Sequence, residues 1–178
     1  MNEPYVQMVI REFRRLESLA GKALAQLTDE QFFAVPAVGD NSVAVIVKHM
    51  GGNLVSRWID FLSSDGEKPG RDREREFRIE PADTRASLMA TWAEGWSALF
   101  FALGPLGDAD LSRLVSIRGE PLTVMQAINR QLTHYAYHVG QIVYLAKHHC
   151  GLAWQSLSIP LGGSAQFNQN PTRYVAPT

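Results

Sequence analysis

Residues 132–145 read LTHYAYHVGQIVYL, and the fold follows from how that stretch is taken. Leu132, Tyr135, Val139 and Ile142 recur at the three-and-four spacing of a single helix face. On that helix His134 and His138 stand four residues apart, one turn above the other. Two imidazoles so stacked can grip one metal ion if a third ligand arrives from elsewhere. Spacing alone leaves open that they are surface histidines or satisfied core residues. The rest of the chain therefore has to be weighed with them.

Working outward, Thr123 with Gln126 three residues later forms a capping-box pattern that opens this helix, and Gly151 stops it after Cys150. Its full seam is Ile128, Leu132, Tyr135, Val139, Ile142 and Ala146, flanked by the polar stripe Gln131, His134, His138 and Gln141. Three earlier segments carry the same period, and none shows the sustained alternation of a strand. Helices are predicted over residues 3–27, 42–63, 84–103 and 123–150, an all-α four-helix bundle in one domain spanning residues 1–178. Thr28 and Gln31 form a further capping box at a short turn, and Asn41 or Ser42 can cap the second helix. The stretch 108–121, punctuated by Gly119 and Pro121, reads as a turn or small hairpin. Residues 152–178 read as an irregular tail packed by Trp154, Leu157, Ile159 and Phe167.

The second connection is long. Between Ser63 and Asp83 lie the turn signals Asp65-Gly66 and Pro69-Gly70, and the run from Glu67 to Glu80 is mostly charged with mixed sign. It reads as a solvated connector. Bundle connections usually take about 2–8 residues, whereas about 20 extended residues can cross a bundle's length. The second and third helices are thus expected to run parallel, joined by a crossover.

Composition narrows the function. A chain of 178 residues can bury its own core without a metal staple, so a metal here would serve function and not folding. The formal net charge of -1 argues against a general nucleic-acid binder. Cys150 is the only cysteine, which excludes a disulfide framework and a cysteine-based zinc knuckle. The first residues read as a charged amphipathic helix and not a signal peptide, and no apolar run approaches the roughly 20 residues that span a bilayer. The expectation is a soluble cytoplasmic protein without a membrane or nucleic-acid partner. There is no phosphate loop, nucleophile elbow or His-Glu-x-x-His pattern.

The second helix supplies the missing ligand type. Beside its apolar seam of Val43, Val47, Met50, Leu54, Trp58 and Phe61 runs a stripe of His49, Asn53, Arg57 and Asp60. Three neutral imidazoles suit zinc or nickel, with iron or manganese as alternatives, and leave the ion an open position. Such a position binds and acidifies water or a thiol, or polarises a carbonyl. Asn53, Arg57, Arg130, Gln131 and Gln141 are candidates to orient the imidazoles or to hold a substrate, against the alternative that they make ordinary structural hydrogen bonds. Gly51-Gly52 in mid-helix suggests close approach of a neighbouring backbone or ligand, or plain tolerance. His148 and His149 suit the helix C-terminus, and Cys150 a packed thiol.

The strings KHMGGN and RWIDFL (48–53, 57–62), INRQLTHYAYHVGQIVYLAK (128–147), SSDGEKP (63–69) and WQSLSIPLGGSAQFN (154–168) resemble the DinB/YfiT-like superfamily of proposed metalloenzymes, in a branch classed as a domain of unknown function. The resemblance implies a four-helix bundle with a long second connection and a divalent-metal site at His49, His134 and His138. It also implies a chemistry class, since better-known relatives include bacillithiol transferases and mycothiol-dependent maleylpyruvate isomerase. By that likeness the protein is a metal-dependent transferase or isomerase that uses a low-molecular-weight thiol on a small electrophilic substrate, and it forms a homodimer. The alternatives are a non-catalytic metal- or small-ligand-binding protein, and a structural bundle that binds no metal.

Overall fold

A computed structural model describes residues 3–171 of the chain. Its long helices are α1 (Tyr5–Leu24), α3 (Val43–Trp58), α5 (Arg85–Leu103) and α6 (Val124–Cys150), with α2 (Asp29–Phe33), α4 (Arg73–Glu76) and α7 (Ser164–Gln169) as short ones. Strands β1 (Leu114–Ile117) and β2 (Glu120–Thr123) form an antiparallel hairpin, Leu114 facing Thr123 and Ile117 facing Glu120. The fold is all-α apart from this ribbon. Its turn residues Arg118 (φ 59°) and Gly119 (φ 74°) both have positive φ, as a tight I′ hairpin requires.

Local chemistry sets the helix starts. The Ser42 hydroxyl accepts from Val45 N–H, and Thr28 and Thr123 close reciprocal capping boxes with Gln31 and Gln126. A further box, Thr84 with Ser87, opens α5. The ends are set less locally. The helix expected to run to Ser63 stops at Trp58, because Asp60 turns left-handed (φ 52°) and its carbonyl accepts from the N–H groups of Ser63 and Ser64. Likewise α1 ends at Leu24 in a tight turn, where Gln26 N–H bonds the Ala23 carbonyl, short of the expected residue 27.

Contacts along the helices give their directions. Lys48, Gly51 and Leu54 of α3 meet Asp83, Thr91 and Gly95 in ascending order, so α3 and α5 run parallel. The crossover expected from the length of the second connection is therefore present. Tyr5, Phe13 and Gln26 meet Asn129, Tyr135 and Cys150, so α1 and α6 also run parallel. The α3–α5 contact is close because glycine is there: a Cβ at Gly95 would lie 2.5 Å from that of Leu54, and one at Gly51 3.3 Å from the backbone of Thr91 and Trp92.

The apolar stripes of α1, α3, α5 and α6 share one core, centred on Phe13, Met50, Leu54, Trp58, Trp96, Leu99, Tyr135 and Ile142, all 2 % exposed or less. Trp154 and Leu157 of the tail pack against that core, and Gln26 fastens the tail by exchanging hydrogen bonds with the Gln155 backbone. Ile159 is exposed, and Phe167 lies half-buried on α7, a helix where an irregular tail was expected. Residues 172–178 of that tail lie outside the described residues. Among the described residues no helix is long and apolar enough to cross a membrane.

Candidate metal centre

The buried stripe of α3 holds Val47, Met50 and Leu54 in the core and leaves His49 at its edge, where it is itself buried. On α6 the buried stripe of Ile128, Tyr135, Val139 and Ile142 turns His134 and His138 towards the same edge, half-buried. Candidate ligand atoms of the three rings all lie within 4.8 Å of one another. His134 Nε2 stands 3.4 Å from His49 Nε2 and 3.2 Å from His138 Nε2.

The two edges at His134 fit a divalent ion as they stand, and His49 and His138, within 4.8 Å of each other, would draw together on it. Imidazole nitrogens bound at about 2.0–2.1 Å with tetrahedral or octahedral angles stand roughly 2.9–3.4 Å apart. The outer nitrogens point the same way: His49 Nδ1 meets Glu76 Oε2 at 2.8 Å, and His138 Nδ1 meets Gln141 Oε1 at 2.8 Å. Each Nδ1 therefore donates a proton outward and leaves an Nε2 lone pair facing the centre. A single proton on His134 Nε2 can serve one of these lone pairs at a time, whereas a cation serves all of them. Burial pushes His134 down to about 3, with positive charge on His138, His49, Arg57 and Arg71 adding to it. Burial likewise pushes His138 down to about 4, against the Gln141 hydrogen bond and reinforced by His49. Both rings are thus neutral at neutral pH, the form that ligates.

The residues proposed around the triad separate. Gln141 reaches it. Asn53 Oδ1 accepts from the Tyr135 hydroxyl at 3.1 Å, and that hydroxyl accepts from Trp58 Nε1 at 3.0 Å. Arg57 is buried and donates to the Gly66 carbonyl and, at 2.9 Å, to Glu67. Gln131 is buried, its Oε1 without a hydrogen-bond partner among the described residues. Arg130 lies on the surface beside Glu120 at 3.6 Å. His148 and His149 occupy the last turn of α6, and the Cys150 thiol donates to the Gln26 carbonyl, as a packed residue would.

The charged connector departs from the solvated reading. Glu76 of α4 is buried against His49, and Arg71 clamps its carboxylate with Nε on Oε1 and Nη2 on Oε2, each at 2.7 Å. Arg71 also reaches Glu67 at 3.2 Å, the same carboxylate that Arg57 holds. Phe77 lays its ring on His49 with centroids 4.7 Å apart, and Tyr137 contacts His134 and His138 at 5.3 and 4.4 Å. Sequence reading missed Glu76, Arg71, Phe77 and Tyr137. One signal was present: Phe77 is a lone aromatic inside a charged run, opposite a helix weakened by Gly51 and Gly52. A Cβ at Gly52 would overlap the Glu76 carboxylate, so that glycine makes room for this side chain.

Two surface cavities, of about 390 and 350 Å³, lie elsewhere, one between Trp58 and Phe101 and one between Leu62 and the hairpin. Against known proteins, the model of a family described as "Protein of unknown function (DUF1572)" matches residues 1–163. No curated protein matches the chain.

Proposed function

The chain belongs to the DUF1572 family, and from that membership and the convergent histidines we propose that it is a divalent-metal-dependent enzyme of the DinB/YfiT-like kind, a thiol-dependent transferase or isomerase acting on a small electrophile. The observation that carries the reading is the triad itself: three imidazoles from two helices within 4.8 Å, with no fourth side-chain ligand in the group among the described residues. His49, His134 and His138 would hold the ion, and three imidazoles suit zinc or nickel. When bound, such an ion supplies Lewis acidity that lowers the pKa of a coordinated thiol or water.

The chain's own residues do the rest. Glu76 and Gln141 keep the Nδ1 protons on the outer side of His49 and His138. Phe77 and Tyr137 wall the rings with aromatic surface, which shields part of the site from water. Arg73 lies over Phe77 with its guanidinium 4.9 Å from the ring centroid, a cation at the rim for a carboxylate on thiol or substrate. A cytoplasmic location and a homodimer belong to the same proposal, the second resting on the resemblance alone.

A non-catalytic metal-binding protein is the second reading, since the same three imidazoles would hold an ion whether or not a substrate follows it. A panel of low-molecular-weight thiols and electrophiles, run on metal-loaded protein, metal-stripped protein and His134→Ala, separates the two. The enzymatic reading expects turnover of at least one pair by loaded protein alone. Equal rates in all three preparations contradict it, and metal retention without turnover of any pair selects the binding protein.

A further inference from the structure

His49 differs from its partners in the triad. The group behind His138 is Gln141, neutral and on the same helix, so that contact survives whatever the rest of the chain does. The group behind His49 is a carboxylate carried by the crossover, and Glu76 is only 7 % exposed. Its charge is balanced by the two-point Arg71 clamp, and its space is provided by the missing Cβ of Gly52. Phe77, the next residue, covers the same imidazole. The crossover also grips α3 through Glu67 on Arg57. Its charged groups therefore close on α3 at two points, and one of these is a candidate ligand.

A carboxylate that accepts the Nδ1 proton orients an imidazole and strengthens Nε2 as a donor. A cation on Nε2 in turn makes the Nδ1–H a better donor to that carboxylate. By linkage, whatever contact strengthens metal binding is itself strengthened by the metal. We propose that Glu76 is the positioning residue of the triad and that, through it, docking of the crossover on α3 and metal occupancy of the histidines are coupled. The inference rests on the metal-binding reading of the triad. It adds that the connector is a strap tightened by the ion, fastened by Arg71 from behind.

The test uses the full chain without an affinity tag, titrated calorimetrically with zinc chloride. Glu76→Gln keeps shape and removes charge. Arg71→Met leaves Glu76 in place and removes its clamp, which provides a second variant should the first fail to fold. His138→Ala reports on the triad itself. Hydrogen exchange across residues 59–84, with and without zinc, reads the strap, and the absorption spectrum of the cobalt-substituted protein reads ligand geometry. Expected are affinities roughly 10–100-fold weaker in Glu76→Gln, the usual cost of losing an outer partner of a ligand, and weaker also in Arg71→Met. The cobalt spectrum should be altered in both, and zinc should slow exchange in the parent strap. Metal-free Glu76→Gln leaves the buried Arg71 with Glu67 as its remaining counter-charge and should melt lower than the parent, but it should keep the parent's helical circular dichroism and a cooperative transition, so that loss of binding is not loss of fold. Parent-like zinc affinity and an unaltered cobalt spectrum in both variants, with binding abolished in His138→Ala, overturn the role of Glu76 and leave the triad standing. If the parent binds zinc no better than His138→Ala, the triad reading falls and takes this inference with it.

Discussion

At the scale of single residues, one carboxylate and two glycines give separate tests. Asp65 accepts from the Ser116 hydroxyl at 2.6 Å, from Gly119 N–H at 2.8 Å and from the N–H groups of Glu67 and Arg118, pinning the start of the crossover to the hairpin turn. These bonds, the Ser116 hydroxyl foremost, hold its carboxyl well below the usual carboxylate range. An unfolded aspartate titrates near about pH 4, so the stabilisation is complete above that pH and lost as pH falls towards the depressed folded value. Asp65→Asn should therefore flatten the acid limb of a stability profile, measured by urea unfolding at stepwise pH. An unchanged slope below about pH 4 would show that Asp65 does not hold the hairpin. The glycines should diverge. Gly21 is an exposed position of α1 with open space where a Cβ would go, and Gly21→Ala should stabilise by about 0.5–1 kcal/mol. The same change at Gly52, in the middle of α3, should destabilise instead, because the new methyl overlaps Glu76. Urea midpoints of both variants check the pair, and a gain at Gly52 equal to that at Gly21 contradicts the cradle.

At the scale of elements, the close seam between α3 and α5 fixes the place of α3, the helix that carries His49. Gly95→Ala puts a methyl into Leu54 and should cost about 1–3 kcal/mol, the usual effect of overpacking. Thermal and urea unfolding measure this, and a neutral result would mean that the seam is looser than described. The helix starts were legible because a cap is local: Ser42, Thr28 and Thr123 each satisfy N–H groups within three residues of themselves. The C-terminus of α3 was not legible. Phe61, buried at 8 % exposure, continues the apolar period past a break made by the backbone of Asp60. A hydrophobic period reports which residues face the core, not whether the chain between them stays helical.

At the scale of the molecule, the bundle brings together candidate ligands from helices joined neither by a tight turn nor by adjacency in sequence, with His49 and His134 meeting across the α3–α6 contact. The histidines beside the two seams were legible, but their meeting was implied by the family resemblance, because a place beside a seam fixes neither the side nor the height at which two helices face one another. The partner of His49 was not legible. A run of mixed charges in a connector has no period, and nothing local marks which carboxylate will be buried by pairing with Arg71. Arg57 and Arg130 read alike as polar neighbours of the seams, yet one is buried on Glu67 and the other lies at the surface. The central claim is that the three histidines form one metal site. Elemental analysis of tag-free protein after exposure to zinc and exhaustive dialysis, beside His49→Ala and His134→Ala treated identically, tests it most directly. A single tightly held ion per chain is expected in the parent and its loss in both variants, with helical content retained. Parent protein that keeps no ion, or variants that keep as much as the parent, would contradict it.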